Sequence, residues 1–198
     1  MTPFQEQSFT IPSLVGLSEK SIAEHVKLYS GYVKHANLIL EKIEEYKKDA
    51  EKNAYVLGEL QRRFGFEFNG MRNHEYYFRS LEGGAKELSP ESPLYKAMEK
   101  EWGSFDVWLN QFKSIALTRG IGWAWLYYDK VSERLLVEWV DEQHLGHLMG
   151  ATPILGIDMW EHSFVSDYQP SGKKQYIEDF FKNLNWSVVE KNFTDATK

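Results

Sequence analysis

Apolar and polar positions follow two different rhythms along this chain, and the change of rhythm divides it. Between Leu17 and Lys52 the apolar residues Ile22, Val26, Tyr29, Val33 and Leu40 recur mostly every three or four positions, the spacing of one face of an α-helix. Ser18 suits the N-cap, since its hydroxyl can accept from an amide one turn on. Gly31 is a soft point inside the run. A second helix is expected from near Ala54, strongest over N-H-E-Y-Y-F-R-S-L-E, and Gly83-Gly84 ends it. The stretch L-S-P-E-S-P then reads as a linker.

Beyond the linker, residues 93 to 120 carry two amphipathic helical patterns. The rhythm then shortens. G-W-A-W-L-Y-Y-D and R-L-L-V-E-W-V are β-rich runs separated by K-V-S-E, which suits an antiparallel hairpin. T-P-I-L-G-I-D is a third strand, K-K-Q-Y-I-E-D-F-F-K-N-L a helix, and N-W-S-V-V-E-K-N-F closes the chain. The expected class is therefore α+β: an N-terminal helical hairpin domain over 1–88, then an α/β domain over 89–198 with a small three-stranded antiparallel sheet. No internal repeat or low-complexity tract interrupts it.

Composition narrows the chemistry. A formal net charge of −6 disfavours general nucleic-acid binding. No apolar run approaches membrane-spanning length, and the N-terminal segment has no basic start followed by an apolar core, so a cytoplasmic protein is expected. With no cysteine, a transition metal would have to be held by His, Asp or Glu. Seven tryptophans in 198 residues supply rings that close water-poor cavities or fill cores.

The run I-L-G-I-D-M-W-E-H-S-F places Asp158 four residues before His162. Asp158 could cap a helix beside a solvated His162, or a cation could sit between the two and offset the cost of burying charge. Of the six histidines, His35 adjoins Lys34 and Asn37 on a solvated face, whereas His25 and His74 lie near aromatic residues on predicted helices. Three imidazoles and one carboxylate from both halves of the chain suit Mn, Fe or Zn.

D-M-W-E-H resembles the D-x-W-E-H signature of the iron/manganese superoxide dismutase family, and R-N-H-E-Y-Y-F resembles its N-H-x-x-[FY]-W helix. The sheet strands and C-terminal helices are similar in order and spacing over nearly the whole chain. The resemblance implies superoxide dismutation at one Fe or Mn ion per subunit, with His74, Asp158 and His162 as ligands. It also implies a substrate-gate tyrosine at Tyr32, a cavity walled by Trp123, Trp125 and Trp160, and a homodimer or homotetramer with Glu161 at the interface. A relative that has lost catalysis and serves as a structural or interaction protein is the alternative, and a different mononuclear metal oxidoreductase a third reading.

Departures from the family pattern fall at the first ligand and the gate. The family's first ligand lies eight residues before the gate tyrosine, which here is Glu24; His25 lies seven before. At about 100° per residue, seven steps return within about 20° of the start, whereas eight overshoot by about 80°. The longer spacing needs a π-bulge; deleting one residue restores a regular helix and keeps the imidazole inward. We assign His25, with Glu24 as the alternative. Leu28 and Val165 stand where the family often has polar channel residues, and Lys173 and Lys174 near a channel arginine. Gly70 occupies the place of a glutamine that bonds metal-bound solvent in iron-type members. D-E-Q-H-L-G-H offers Gln143, as in manganese-type members, or His144, as in some archaeal-type ones; His144 is the expected donor.

Overall fold

The computed structural model describes residues 2–198. Helix α1 runs unbroken over Glu19–Tyr46 and α2 over Ala54–Leu81. The Ser18 hydroxyl accepts from the Ser21 amide, satisfying one of the donors a helix start leaves free. The two helices pack as an antiparallel hairpin. The buried stripe of α1 is Ser21, His25, Tyr29, Val33, Ala36 and Ile39, rotated from the face expected around Ile22 and Val26. That rotation puts His25 at the centre of the packed seam.

Two short helices follow, α3 over Pro93–Trp102 and α4 over Phe105–Ala116, each with a serine N-cap. Strands β1 (Gly122–Asp129), β2 (Arg134–Asp141) and β3 (Thr152–Asp158) form one antiparallel sheet in the order β2-β1-β3. Register between β1 and β3 sets Trp123 opposite Asp158, so a wall tryptophan and a candidate ligand are neighbours across the sheet. A four-residue helix, α5 (Val165–Tyr168), leads to α6 (Lys173–Asn183) and α7 (Trp186–Thr197).

One continuous core joins Tyr29, Val33, Met71 and Phe78 of the hairpin to Trp108, Trp123, Leu155, Ile157 and Phe180 of the second half. Burial of such area is the main stabilising term. The N-terminal arm is laced onto this body by its backbone. Asn183, buried at the end of α6, accepts from the Val15 amide at 2.8 Å and donates to the Val15 carbonyl at 2.9 Å. Among the described residues no helix is long and apolar enough to cross a membrane.

Candidate metal centre

His25 and His74 come from the facing sides of α1 and α2. Asp158 ends β3, and His162 lies in the 3₁₀ turn Glu161–Ser163 that follows. Asp158 is thus a strand end followed by a turn, not a helix cap. Its Oδ1 accepts from the Trp160 amide at 2.8 Å, and its carbonyl accepts from Ser163 Oγ and Tyr176 Oη, both at 2.9 Å. The first donor orients the carboxylate and the other two hold the main chain that carries it.

Around Asp158 Oδ2 stand the Nε2 atoms of His25 at 3.1 Å, His162 at 3.2 Å and His74 at 3.5 Å. One ligand atom from each of the four residues lies within 4.8 Å of all the others. A first-row cation bound at about 2.1 Å requires donors roughly 3–4 Å apart. His74 gives the sharpest test of fit. Its Nδ1 meets the Gly70 carbonyl at 2.6 Å; a carbonyl can only accept, so Nδ1 carries the proton and Nε2 is a bare lone pair. That Nε2 is buried, has no hydrogen-bond partner and faces a carboxylate oxygen. Two lone pairs aimed at each other in a dry interior are stable only with a cation between them.

Protonation states agree. Burial, and then neighbouring His25, push His74 down to about 3. Burial also lowers His25, against the opposing pull of Asp158. At Asp158 burial works against ionisation, but the imidazoles of His162 and His25 outweigh it and hold the carboxyl below the usual range. The neutral rings of His25 and His74 and the ionised carboxylate of Asp158 are donors that a trivalent or divalent Fe or Mn ion accepts. Glu24 is elsewhere: its exposed carboxylate pairs with Lys27 at 2.6 Å.

Aromatic rings enclose the cluster. Trp123 stands edge-on to His74 at 5.2 Å between centroids, Trp160 stacks on His162 at 5.8 Å, and Phe78 and Tyr77 flank His25. Trp125 stacks on Trp123 and lies a layer behind. Tyr32 leans over His74 at 5.1 Å. The room beside Gly70 holds this ring: a Cβ on Gly70 would lie 2.5 Å from Tyr32 Cδ1.

Gln143 and His144 part company. Gln143 is fully buried; its Oε1 accepts from Trp123 Nε1 at 2.9 Å and its Nε2 donates to Tyr32 Oη at 3.0 Å. The half-buried His144 ring packs edge-on against Phe66. Gln143, rather than His144, makes the hydrogen bonds to the rings beside the cluster. The Gln143 carbonyl is held by Asn73 Nδ2 at 3.0 Å and His147 Nε2 at 3.1 Å, and those bonds aim its side chain inward. Neither Asn73 nor His147 was singled out by sequence reasoning, although Asn73 directly precedes His74 and His147 closes the D-E-Q-H-L-G-H run.

At the periphery, Leu28 and Glu161 are exposed. Glu161, Arg119, Ile121 and Lys173 line a surface groove of about 560 Å³. Lys173 Nζ donates to the Thr118 carbonyl at 2.7 Å and stands over Trp139, whereas Lys174 borders a separate groove with Lys113 and Glu178.

Comparison with known proteins agrees with this arrangement. The family described as "Iron/manganese superoxide dismutases, C-terminal domain" matches residues 90–192. A superoxide dismutase [Fe] of Aquifex aeolicus is 35% identical over 94% of this chain and 88% of its own length. One from Tetrahymena pyriformis, also [Fe], is 33% identical over 87% and 89% respectively. A superoxide dismutase [Mn] of Mycobacterium lepraemurium is 35% identical over 87% and 82%. Matches extending across both halves, together with a four-residue donor cluster drawn from both, place this chain in the iron/manganese superoxide dismutase family.

Proposed function

We propose that the chain disproportionates superoxide, 2 O₂•⁻ + 2 H⁺ → O₂ + H₂O₂, at one Fe or Mn ion held by His25, His74, Asp158 and His162. The observation that carries this reading is the bare, buried Nε2 of His74 facing Asp158 inside an aromatic wall. A bound Fe or Mn supplies the one-electron couple between trivalent and divalent states that the reaction uses. The protein contributes position, exclusion and protons.

Tyr32 and Gln143 form the proton-handling pair. Burial, and then the Asp158 charge, raise Tyr32, so it stays a phenol. Its oxygen accepts from Gln143, which leaves the phenolic proton free to be given toward the cavity. Gln143, fixed between Trp123 and Tyr32, is the donor we assign to solvent at the metal, replacing His144. Trp123 and Trp160 keep larger ligands from the cluster. Glu161, exposed one residue before His162, together with exposed Leu117 and Ile121 around the same groove, supports a two-fold dimer through this face.

The test is metal content and superoxide removal in protein produced with iron or with manganese. One metal per subunit and activity proportional to metal are expected. Gln143→Ala should keep the metal and lose most activity per metal, and His144→Ala should keep both. Metal-loaded protein without activity would leave the non-catalytic alternative standing.

A further inference from the structure

The Gln143 carbonyl is clamped by two donors, and one of them has a support of its own. His147 is half-buried; its Nε2 meets the Gln143 carbonyl at 3.1 Å, and its Nδ1 meets Tyr127 Oη at 2.5 Å. The carbonyl can only accept, so Nε2 must carry a proton. In the neutral ring Nδ1 is then the acceptor, and Tyr127 is the donor that fills it. Burial lowers His147 and raises Tyr127, so each stays in the form this chain of bonds requires.

Tyr127 is fixed in turn. It lies on β1 two residues beyond Trp125, on the same face of the sheet, and its ring tilts against that of Trp125 at 5.9 Å. The sequence of contacts therefore runs from the core of β1 through Tyr127 and His147 to the Gln143 main chain. From there it passes through the Gln143 amide to Trp123 and Tyr32.

We infer that His147, seated by Tyr127, is a positioning residue for the reaction. It holds the Gln143 main chain so that the side-chain amide bridges Trp123 and Tyr32 beside the metal cluster. Asn73 alone would leave the carbonyl pinned from the α2 side and free to swing about that bond. A second donor, His147 Nε2, removes that swing. This inference rests on the dismutase reading for its activity arm only, since the midpoint potential of the bound metal can be measured without turnover.

The experiment compares His147→Ala, His147→Gln, Tyr127→Phe and Gln143→Ala, each loaded with the same metal. Metal content, midpoint potential and superoxide turnover per metal are measured. His147→Ala should keep its metal, shift the potential in the same direction as Gln143→Ala by a fraction of that shift, and lower turnover about three- to tenfold, the worth of one lost hydrogen bond. His147→Gln places a donor near the Nε2 position and should return both readouts most of the way to wild type. A role in stability alone would not produce that rescue of the potential. Should His147→Ala fail to fold, Tyr127→Phe serves in its place, with a smaller shift of the same sign expected. Wild-type potential and turnover in a metal-loaded His147→Ala or Tyr127→Phe overturns the inference, as does a stable His147→Gln no better than Ala. A wild-type protein that holds metal and removes no superoxide defeats the dismutase reading instead.

Discussion

Replacing Gly70 by alanine tests whether the Tyr32 ring is held by shape. A methyl group there would meet Cδ1, Cε1 and Cγ of Tyr32 at 2.5, 2.7 and 2.9 Å. Ordinary carbon contacts begin near ~3.5 Å, so the ring must withdraw by roughly 1 Å. Overpacking of this kind costs about 1–3 kcal/mol. Alanine in a helix interior offsets about 0.5–1 kcal/mol of that, leaving a net loss of up to about 2.5 kcal/mol. For a chain of this size the melting temperature should fall by up to roughly 10 °C. The larger effect is on function. Tyr32 Oη lies 3.0 Å from Gln143 Nε2, and a shift of about 1 Å takes that pair out of hydrogen-bonding range. Activity per bound metal should drop roughly ten- to hundredfold.

Gly58→Ala is the control on the same helix. Gly58 is exposed and has nothing within 4 Å of its would-be Cβ, so alanine there should stabilise by about 0.5–1 kcal/mol and leave activity alone. Melting curves, metal analysis and superoxide turnover on the two variants complete the assay. If Gly70→Ala melts as high as Gly58→Ala and turns over at the wild-type rate, the close approach of Tyr32 to α2 does not constrain that ring.

Three further outcomes are expected. Asn183→Ala removes both hydrogen bonds to Val15 and should destabilise by about 1–3 kcal/mol, read as a lower urea midpoint; an unchanged midpoint would mean the N-terminal arm is held without them. Metal-free protein should lose stability on acidification: His74 sits at about 3 in the fold against an ordinary 6.5, so the unfolded chain takes up the proton first. That contribution is complete above pH 6.5 and is lost as pH falls toward 3; denaturation midpoints that stay flat across the window would refute it. Glu161→Ala should weaken self-association in sedimentation velocity, and a wild-type monomer at micromolar concentration with full activity would remove the dimer reading.

The long elements were legible because their rhythm is long. Two 28-residue helices repeat the apolar spacing often enough to declare themselves, and β1 and β3 match the runs G-W-A-W-L-Y-Y-D and T-P-I-L-G-I-D residue for residue. His25 lies in the four-residue cluster for a related reason: α1 has no bulge, so an imidazole seven residues before Tyr32 shares its side. The segment from Asp158 to Tyr168 was read less well. A strand end, a 3₁₀ turn and a four-residue helix are each too short for any period to accumulate. Asp158 therefore looked as much like a helix cap as a strand terminus.

The choice between Gln143 and His144 was hidden for a different reason. Alternation says that neighbouring residues on an extended segment diverge, and these two do diverge; it says nothing about which turns inward. In the fold that sign is set by a tight loop after β2, in which Asp141 and Leu145 exchange both backbone hydrogen bonds and Glu142 takes a left-handed φ of 52°. It is set again by Asn73, seventy residues away in sequence, reaching the Gln143 carbonyl. Local propensity carries no trace of either. Gly70 carries a related ambiguity. Its missing side chain leaves room beside α2, and the Tyr32 ring takes that room while its hydroxyl accepts from the Gln143 amide. A glycine in place of a polar residue therefore admits a ring and a distant donor together, since the ring that fills the space also carries the hydroxyl that holds the donor's amide, and spacing along the chain shows neither contact.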